Sequence, residues 1–195
     1  MPLITTEKLN RFARYKLSQS DYRYDSRTIL FTEPTPTPHQ SFDIFLCHSS
    51  LDSDLILGLR EYFNSLDYST YIDWYNDPQL DRTYVNRNTA DTLRNRMEYS
   101  QCLFFASSPN SPNSKWMPWE CGYFDGIKRK VAICPIVESF SNTEDFQGQE
   151  YLGLYPYVTS AYDTSGNEQL WINEAADIYV SLPGWLSGVK PYKHN

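Results

Sequence analysis

No stretch of this chain approaches the roughly 20 consecutive apolar residues of a membrane-spanning helix. The opening Met1-Pro2-Leu3-Ile4, followed by Thr, Glu and Lys, lacks the apolar core of a signal peptide. A cytoplasmic protein with no membrane partner is expected. Cysteine is scarce: Cys47, Cys102, Cys121 and Cys134 stand singly, with neither metal-ligand spacing nor a disulfide framework. Three of them fall in apolar, strand-like runs, so buried reduced thiols are the favoured expectation, with partial exposure left open for Cys121 beside Glu120, and no metal site is expected. Neither G-x-G-x-x-G nor G-x-x-x-x-G-K occurs, which disfavours a dehydrogenase or a P-loop enzyme, and no Ser/His/Asp set is recognisable. Excess basic charge is also missing. Lys and Arg number 17 against 24 acidic residues, a formal charge of −7, which argues against nucleic acid or an anionic membrane as partner. Small molecules and proteins remain.

What is present suits one α/β domain with an appendage, since 195 residues hold one full core. Residues 1–40 carry a net charge of +2 and the remainder −9. Leu9, Phe12, Ala13 and Leu17 form a helical stripe after Thr6, a candidate cap, and Thr28–Thr32 reads as a short extended piece. Pro34-Thr35-Pro36-Thr37-Pro38 favours a polyproline linker. Residues 1–40 are therefore assigned as an N-terminal helical extension and linker, docked on the domain or on a neighbour, and 41–195 as the domain.

From Ser41 the pattern alternates. It predicts strand 42–47, helix 53–66, strand 69–74, loop 75–88, helix 89–99, strand 101–106, helix 116–128 and strand 131–136. Strands separated by helices imply a parallel, doubly wound sheet with right-handed crossovers. An aromatic loop, Phe146 to Tyr157, leads into a fifth strand, and the turn signal Thr164-Ser165-Gly166-Asn167 allows an antiparallel edge hairpin. A final helix is expected from Asn173 or Glu174 to Pro183-Gly184.

The segment 107–120, Ser-Ser-Pro-Asn-Ser-Pro-Asn-Ser-Lys-Trp-Met-Pro-Trp-Glu, is the most informative. It follows the apolar run Cys102–Ala106, and Pro118 fixes its phase, because proline is tolerated only in the first helical turn. The helix then starts near Lys115 or Trp116 with Ser114 as cap. Lys128, Arg129 and Lys130 fall at its carboxyl end, where they complement the helix dipole. Trp116 and Glu120, four positions apart, share one helix face just past a strand's carboxyl end, the edge at which open α/β sheets bind ligands.

Phe42-Asp43-Ile44-Phe45-Leu46, the Ser/His turn after it, an acidic helix start, a polar loop after the second strand and Ser-x-Trp-x-x-x-Glu after the third occur in that order from Phe42 to Ile136. The set resembles the TIR (Toll/interleukin-1 receptor) domain family, in its catalytic bacterial branch, and is similar to the TIR component of Thoeris-type anti-phage defence systems. The resemblance implies a flavodoxin-like sheet of order 2-1-3-4-5 and cleavage of NAD⁺, a substrate and not a resident cofactor, by a glutamate at the position of Glu120. Trp116 matches the aromatic one turn before it. Two departures stand out: Cys47 where serine is common, and no glycine in the loop after Asp73-Trp74. Family loops of this kind contact a neighbouring domain and complete its site, which implies TIR–TIR self-association with Arg82 as a candidate substrate-binding residue; a loop whose charge is merely solvated is the alternative.

In the 2-1-3-4-5 order the crevice opens between the ends of strands one and three. His48, Ser49 and Ser50 on one side, and Ser107, Ser108 and Asn110 on the other, are candidate ligands for ribose hydroxyls and phosphates. Phe45, Trp116, Trp119 and Tyr123 offer aromatic surface for nicotinamide or adenine. His48 is a candidate base or a hydrogen-bonded structural residue. Cleavage of the nicotinamide–ribose bond passes through an oxocarbenium-like centre, so one carboxylate, Glu120, suffices to stabilise it. Water as acceptor gives ADP-ribose, an internal nitrogen or hydroxyl a cyclic isomer, and an exogenous base exchange or a conjugate. The leading expectation is an NAD⁺-consuming signalling enzyme whose product activates a separate effector. The alternatives are a non-catalytic TIR adaptor acting by homotypic assembly and a nucleoside deoxyribosyltransferase-like enzyme.

Overall fold

The computed structural model describes residues 1–20, 24–31, 36–37, 39–73, 87–138, 146 and 150–194. Arg82, most of the loop after Asp73 and most of the Pro34–Pro38 run lie outside these. Alternating apolar residues build the central strands, because successive side chains of a strand point to opposite faces. In β2 (Phe42–Cys47), Ile44 and Leu46 enter one core cluster, while Phe45 and Cys47 enter the other. β4 (Ser100–Ser107) divides in the same way, with Cys102, Phe104 and Ala106 against Leu103 and Phe105. In β5 (Val131–Val137), Ala132 and Cys134 oppose Val131 and Ile133. A sheet apolar on both faces needs helices on both, which is the doubly wound architecture.

Helices α1 (Thr6–Ser18), α2 (Ser26–Phe31) and α3 (Ser53–Asn64) cover the first face; α4 (Arg87–Glu98) and α5 (Trp116–Lys128) cover the second. β3 (Thr70–Tyr71) pairs parallel with β2, β2 with β4, and β4 with β5. β5 then meets β6 (Tyr157–Tyr162) in parallel, at Ile133 and Tyr157. The expected flavodoxin-like order 2-1-3-4-5 is therefore present. The crevice between β2 and β4 follows from it.

Four expectations are corrected. Thr5, not Thr6, caps α1, its side chain accepting the Lys8 N–H at 3.2 Å. Residues 26–31 are helical and not extended, with the Asp25 carboxylate accepting the Thr28 N–H at 2.7 Å. The second core strand shrinks from 69–74 to Thr70–Tyr71. The final helix from 173 does not form. Those residues belong to β7 (Glu168–Ala175) and β8 (Ile178–Ser181), which extend the expected edge hairpin into an antiparallel meander ending at β9 (Tyr192–Lys193). Leu170 and Ile172 face the core, and the buried Asn173 amide donates to Tyr157 O and Thr159 Oγ1, tying β7 to β6. Pro183-Gly184 opens, and does not close, the short α6 (Leu182–Leu186).

The N-terminal strand β1 (Ile4–Thr5) pairs with Ile136 and Val137 of β5, and Pro2 O accepts the Ser160 N–H of β6 at 3.1 Å. It fills the gap where β5 and β6 diverge. Leu3 joins the core under α5 and Ile4 the core under α1. α1 packs so closely on α3 that a Cβ on Gly58 would lie 2.3 Å from Leu9 O.

Candidate functional site

The loop from β4 into α5 is built of short local bonds. Ser111 Oγ donates to Ser108 O at 2.8 Å, and a single 3-10 turn spans Ser111–Asn113 with Pro112 inside it. Lys115, not Ser114, is the N-cap residue, while Ser114 Oγ just before it accepts the Met117 N–H at 3.3 Å, and α5 begins at Trp116 with Pro118 in its first turn. Met117, Cys121 and Phe124 face the sheet. Trp116 and Glu120 lie on the same side, 8% and 1% exposed. A carboxylate buried so fully requires polar surroundings.

A cavity of about 350 Å³ lies against the start of α5 at Pro118, walled also by Phe105, Ser111 and Pro112, and two others flank Trp116. The first, about 360 Å³, lies at the sheet's carboxyl edge between His48–Leu51 and Asn113–Trp116. The second, about 340 Å³, lies between α4 and α5, walled by Ala90, Arg94, Lys115, Trp116 and Trp119. Lys115 and Trp116 are common to both. Trp119 meets Trp116 edge to face at 5.4 Å, stacks on Tyr123 at 5.8 Å, and has the Arg94 guanidinium 5.4 Å from its ring centre.

Asp52 joins the two rims of the crevice. It sits at the N-cap of α3 yet makes no capping bond there. Its Oδ2 accepts from Ser108 Oγ at 2.5 Å and its Oδ1 from Asn110 Nδ2 at 2.6 Å. His48 is 1% exposed, with Nδ1 2.8 Å from Leu46 O and Nε2 3.4 Å from Asp73 Oδ1. A carbonyl partner obliges Nδ1 to carry a proton. Both ring nitrogens thus face acceptor oxygens of the protein, and the ring forms part of the wall of the first cavity.

No family model matches the chain. A protein of Bacillus cereus (strain MSX-D12) named "Probable 3' cyclic ADP-D-ribose synthase ThsB'" is 47% identical over 178 residues, covering 91% of this chain and 86% of that protein. The chain belongs to the bacterial TIR family. A second TIR relative, from Cytobacillus dafuensis and named "Putative cyclic ADP-D-ribose synthase TIR2", is 36% identical over 83 residues, 42% of this chain and 22% of its own length.

Within this TIR fold Glu120 is buried in the first turns of α5 and lines neither of these two cavities, and the other described residues singled out from sequence divide into three groups. His48, Ser49, Ser50 and Trp116 line the first cavity, and Trp116 and Trp119 the second. Ser107, Ser108 and Asn110 stand at the β4 rim, the latter two engaged with Asp52. Phe45 lies in the core, stacked on Tyr71 at 5.1 Å, and Tyr123 backs Trp119 while its hydroxyl donates to Glu98 Oε1 at 3.2 Å. Cys121 is fully buried, as the favoured reading has it, and desolvation pushes its thiol up to about 11. All four cysteines are free and buried. Among the described residues no cluster suits a metal ion, and no helix is long and apolar enough to cross a membrane. Asp52 is the residue that sequence reasoning passes over: it stands among the acidic residues of a helix start, and its partners are 56 and 58 residues away.

Proposed function

We propose that the protein breaks the nicotinamide–ribose bond of NAD⁺ and closes the ADP-ribosyl fragment into a cyclic ADP-ribose. The observation that carries this reading is the 47% identity, across 91% of the chain, to a relative named as a 3' cyclic ADP-D-ribose synthase. The retained Trp116 and Glu120 at the head of α5 support it, since an adaptor needs neither.

In the reaction the C1′–N1 bond of the nicotinamide riboside breaks, its electron pair neutralises the pyridinium ring, and positive charge develops on the ribose. The Glu120 carboxylate opposes that charge from a site largely closed to water, where electrostatic stabilisation is strongest. Ring closure joins C1′ to an atom of the adenosine half. When that atom is a hydroxyl oxygen a proton must leave, and Glu120 is the acceptor, because both His48 nitrogens already face protein acceptors. Trp116 walls the first cavity as a stacking surface, and Ser49 and Ser50 hold ribose hydroxyls.

The product then acts as a diffusible anti-phage signal for a separate effector, and self-association of the TIR domain completes the site. Incubation of purified protein with NAD⁺, and separately with deoxynucleosides, followed by mass spectrometry, tests the reading. A cyclic ADP-ribose from NAD⁺ is expected. Deoxyribosyl exchange would select the deoxyribosyltransferase alternative, and inertness toward both, at every protein concentration, the adaptor.

A further inference from the structure

The two cavities differ in chemistry, and NAD⁺ has two chemically different ends. We propose that the cavity between α4 and α5 is a subsite for the adenylate half of the substrate, with the adenine ring on Trp119 and the pyrophosphate beside Lys115. The inference rests on the NAD⁺ reading above and adds to it the direction in which the dinucleotide lies.

Charge decides the direction. The nicotinamide ring of NAD⁺ is a cation, and the second cavity adds the Arg94 guanidinium to the Lys115 that both cavities share. Adenine is neutral and presents a large π-face, which suits an aromatic wall flanked by a guanidinium. Arg94 lies 5.4 Å from the Trp119 ring centre and 5.7 Å from that of Tyr123, and it is paired with the exposed Asp91 carboxylate at 2.7 Å, which fixes it in place. The Trp119–Tyr123 stack holds the indole from behind, and Trp116 packs across it at 83°.

Size and connection agree. Cavities of about 340 and 360 Å³ are at the small end for ligand sites, each suited to one ring with its ribose. They meet at Lys115 and Trp116, where a molecule spanning both would place its central diphosphate. The polar cavity at the strand ends, with Ser49 and Ser50, is left for the nicotinamide riboside.

The test uses half-molecules. AMP and nicotinamide mononucleotide are each titrated as inhibitors of NAD⁺ turnover by the wild-type chain, Trp119→Ala and Trp119→Phe. Trp119→Ala is expected to raise the AMP inhibition constant and the KM for NAD⁺ about ten-fold, in keeping with the loss of one base–aromatic stack. Inhibition by nicotinamide mononucleotide stays as in wild type, and Trp119→Phe recovers most of the AMP affinity. Unchanged AMP inhibition in Trp119→Ala overturns the subsite, as does an equal weakening of both half-molecules. AMP binding is also followed directly by isothermal titration calorimetry, a readout that does not depend on the Trp119 indole. A wild-type protein inert toward NAD⁺ therefore counts against the reaction, while loss of AMP binding in Trp119→Ala still supports the subsite.

Discussion

Asp52 and Ser108 share a 2.5 Å hydrogen bond across the mouth of the crevice, joining the turn after β2 to the turn after β4. With the Asn110 amide also on Asp52, the carboxylate sets the path of the chain into α5 and so the position of Trp116. Asp52→Asn keeps size but leaves one acceptor oxygen where the carboxylate has two, so Ser108 Oγ and the Asn110 amide can no longer both donate to it. The expected result is faster amide exchange over 108–117 and a raised KM for NAD⁺, with a stability loss of about 1–3 kcal/mol. Combining Asp52→Asn with Asn110→Asp exchanges donor and acceptor and restores both readings. Failure of the exchange to restore them would show that the bridge does not position the loop.

Gly58 reports on the N-terminal segment. An alanine in a helix interior ordinarily gains about 1 kcal/mol over glycine, but here its Cβ would meet the Leu9 backbone. Gly58→Ala is expected to lower Tm and to expose residues 4–18 to proteolysis. A higher Tm with α1 still protected would mean that the close packing of α1 on α3 is not maintained in solution.

The two prolines that mark helices show what was legible. Pro118 set the phase of α5 because the residues after it keep helical spacing, and the helix occupies residues 116–128 as expected. The same punctuation predicts a helix end at Pro183, yet Pro183 lies in the first turn of α6. Leu170 and Ile172 carry the two-residue period of a strand, but Asn173, Glu174 and Ala175 also suit a helix start. What decides is the Asn173 amide bonding across to Thr159, a partner invisible to local pattern. The core strands and the Trp116–Glu120 pair were readable because they are local. Asp52, the His48–Asp73 contact and the insertion of β1 were not, because each depends on groups brought together only by folding.

The clamp on the N-terminal helix predicts a pH dependence of one sign. Burial alone would raise the Glu168 carboxyl, but hydrogen bonds from Lys8, Ser160 and Tyr62 and the Lys8 charge outweigh it and hold the group below its usual 4.5. Its contribution is complete above that value and is lost as pH falls through the depressed one. Burial lowers the Lys8 ammonium, with Glu168 opposing, so Lys8 adds no stability that alkali would remove. In urea unfolding measured against pH, Glu168→Gln should be less stable than wild type at neutral pH, and the two curves should converge in acid. Parallel curves down to pH 2 would contradict the clamp.

The central claim is that the Glu120 carboxylate carries the cleavage of NAD⁺. Its most direct test is NAD⁺ turnover by Glu120→Gln, with products identified by mass spectrometry and folding checked by circular dichroism. A folded variant that has lost at least about 100-fold in rate, with no cyclic product, is the predicted result. Turnover near wild type in the folded variant would contradict the account.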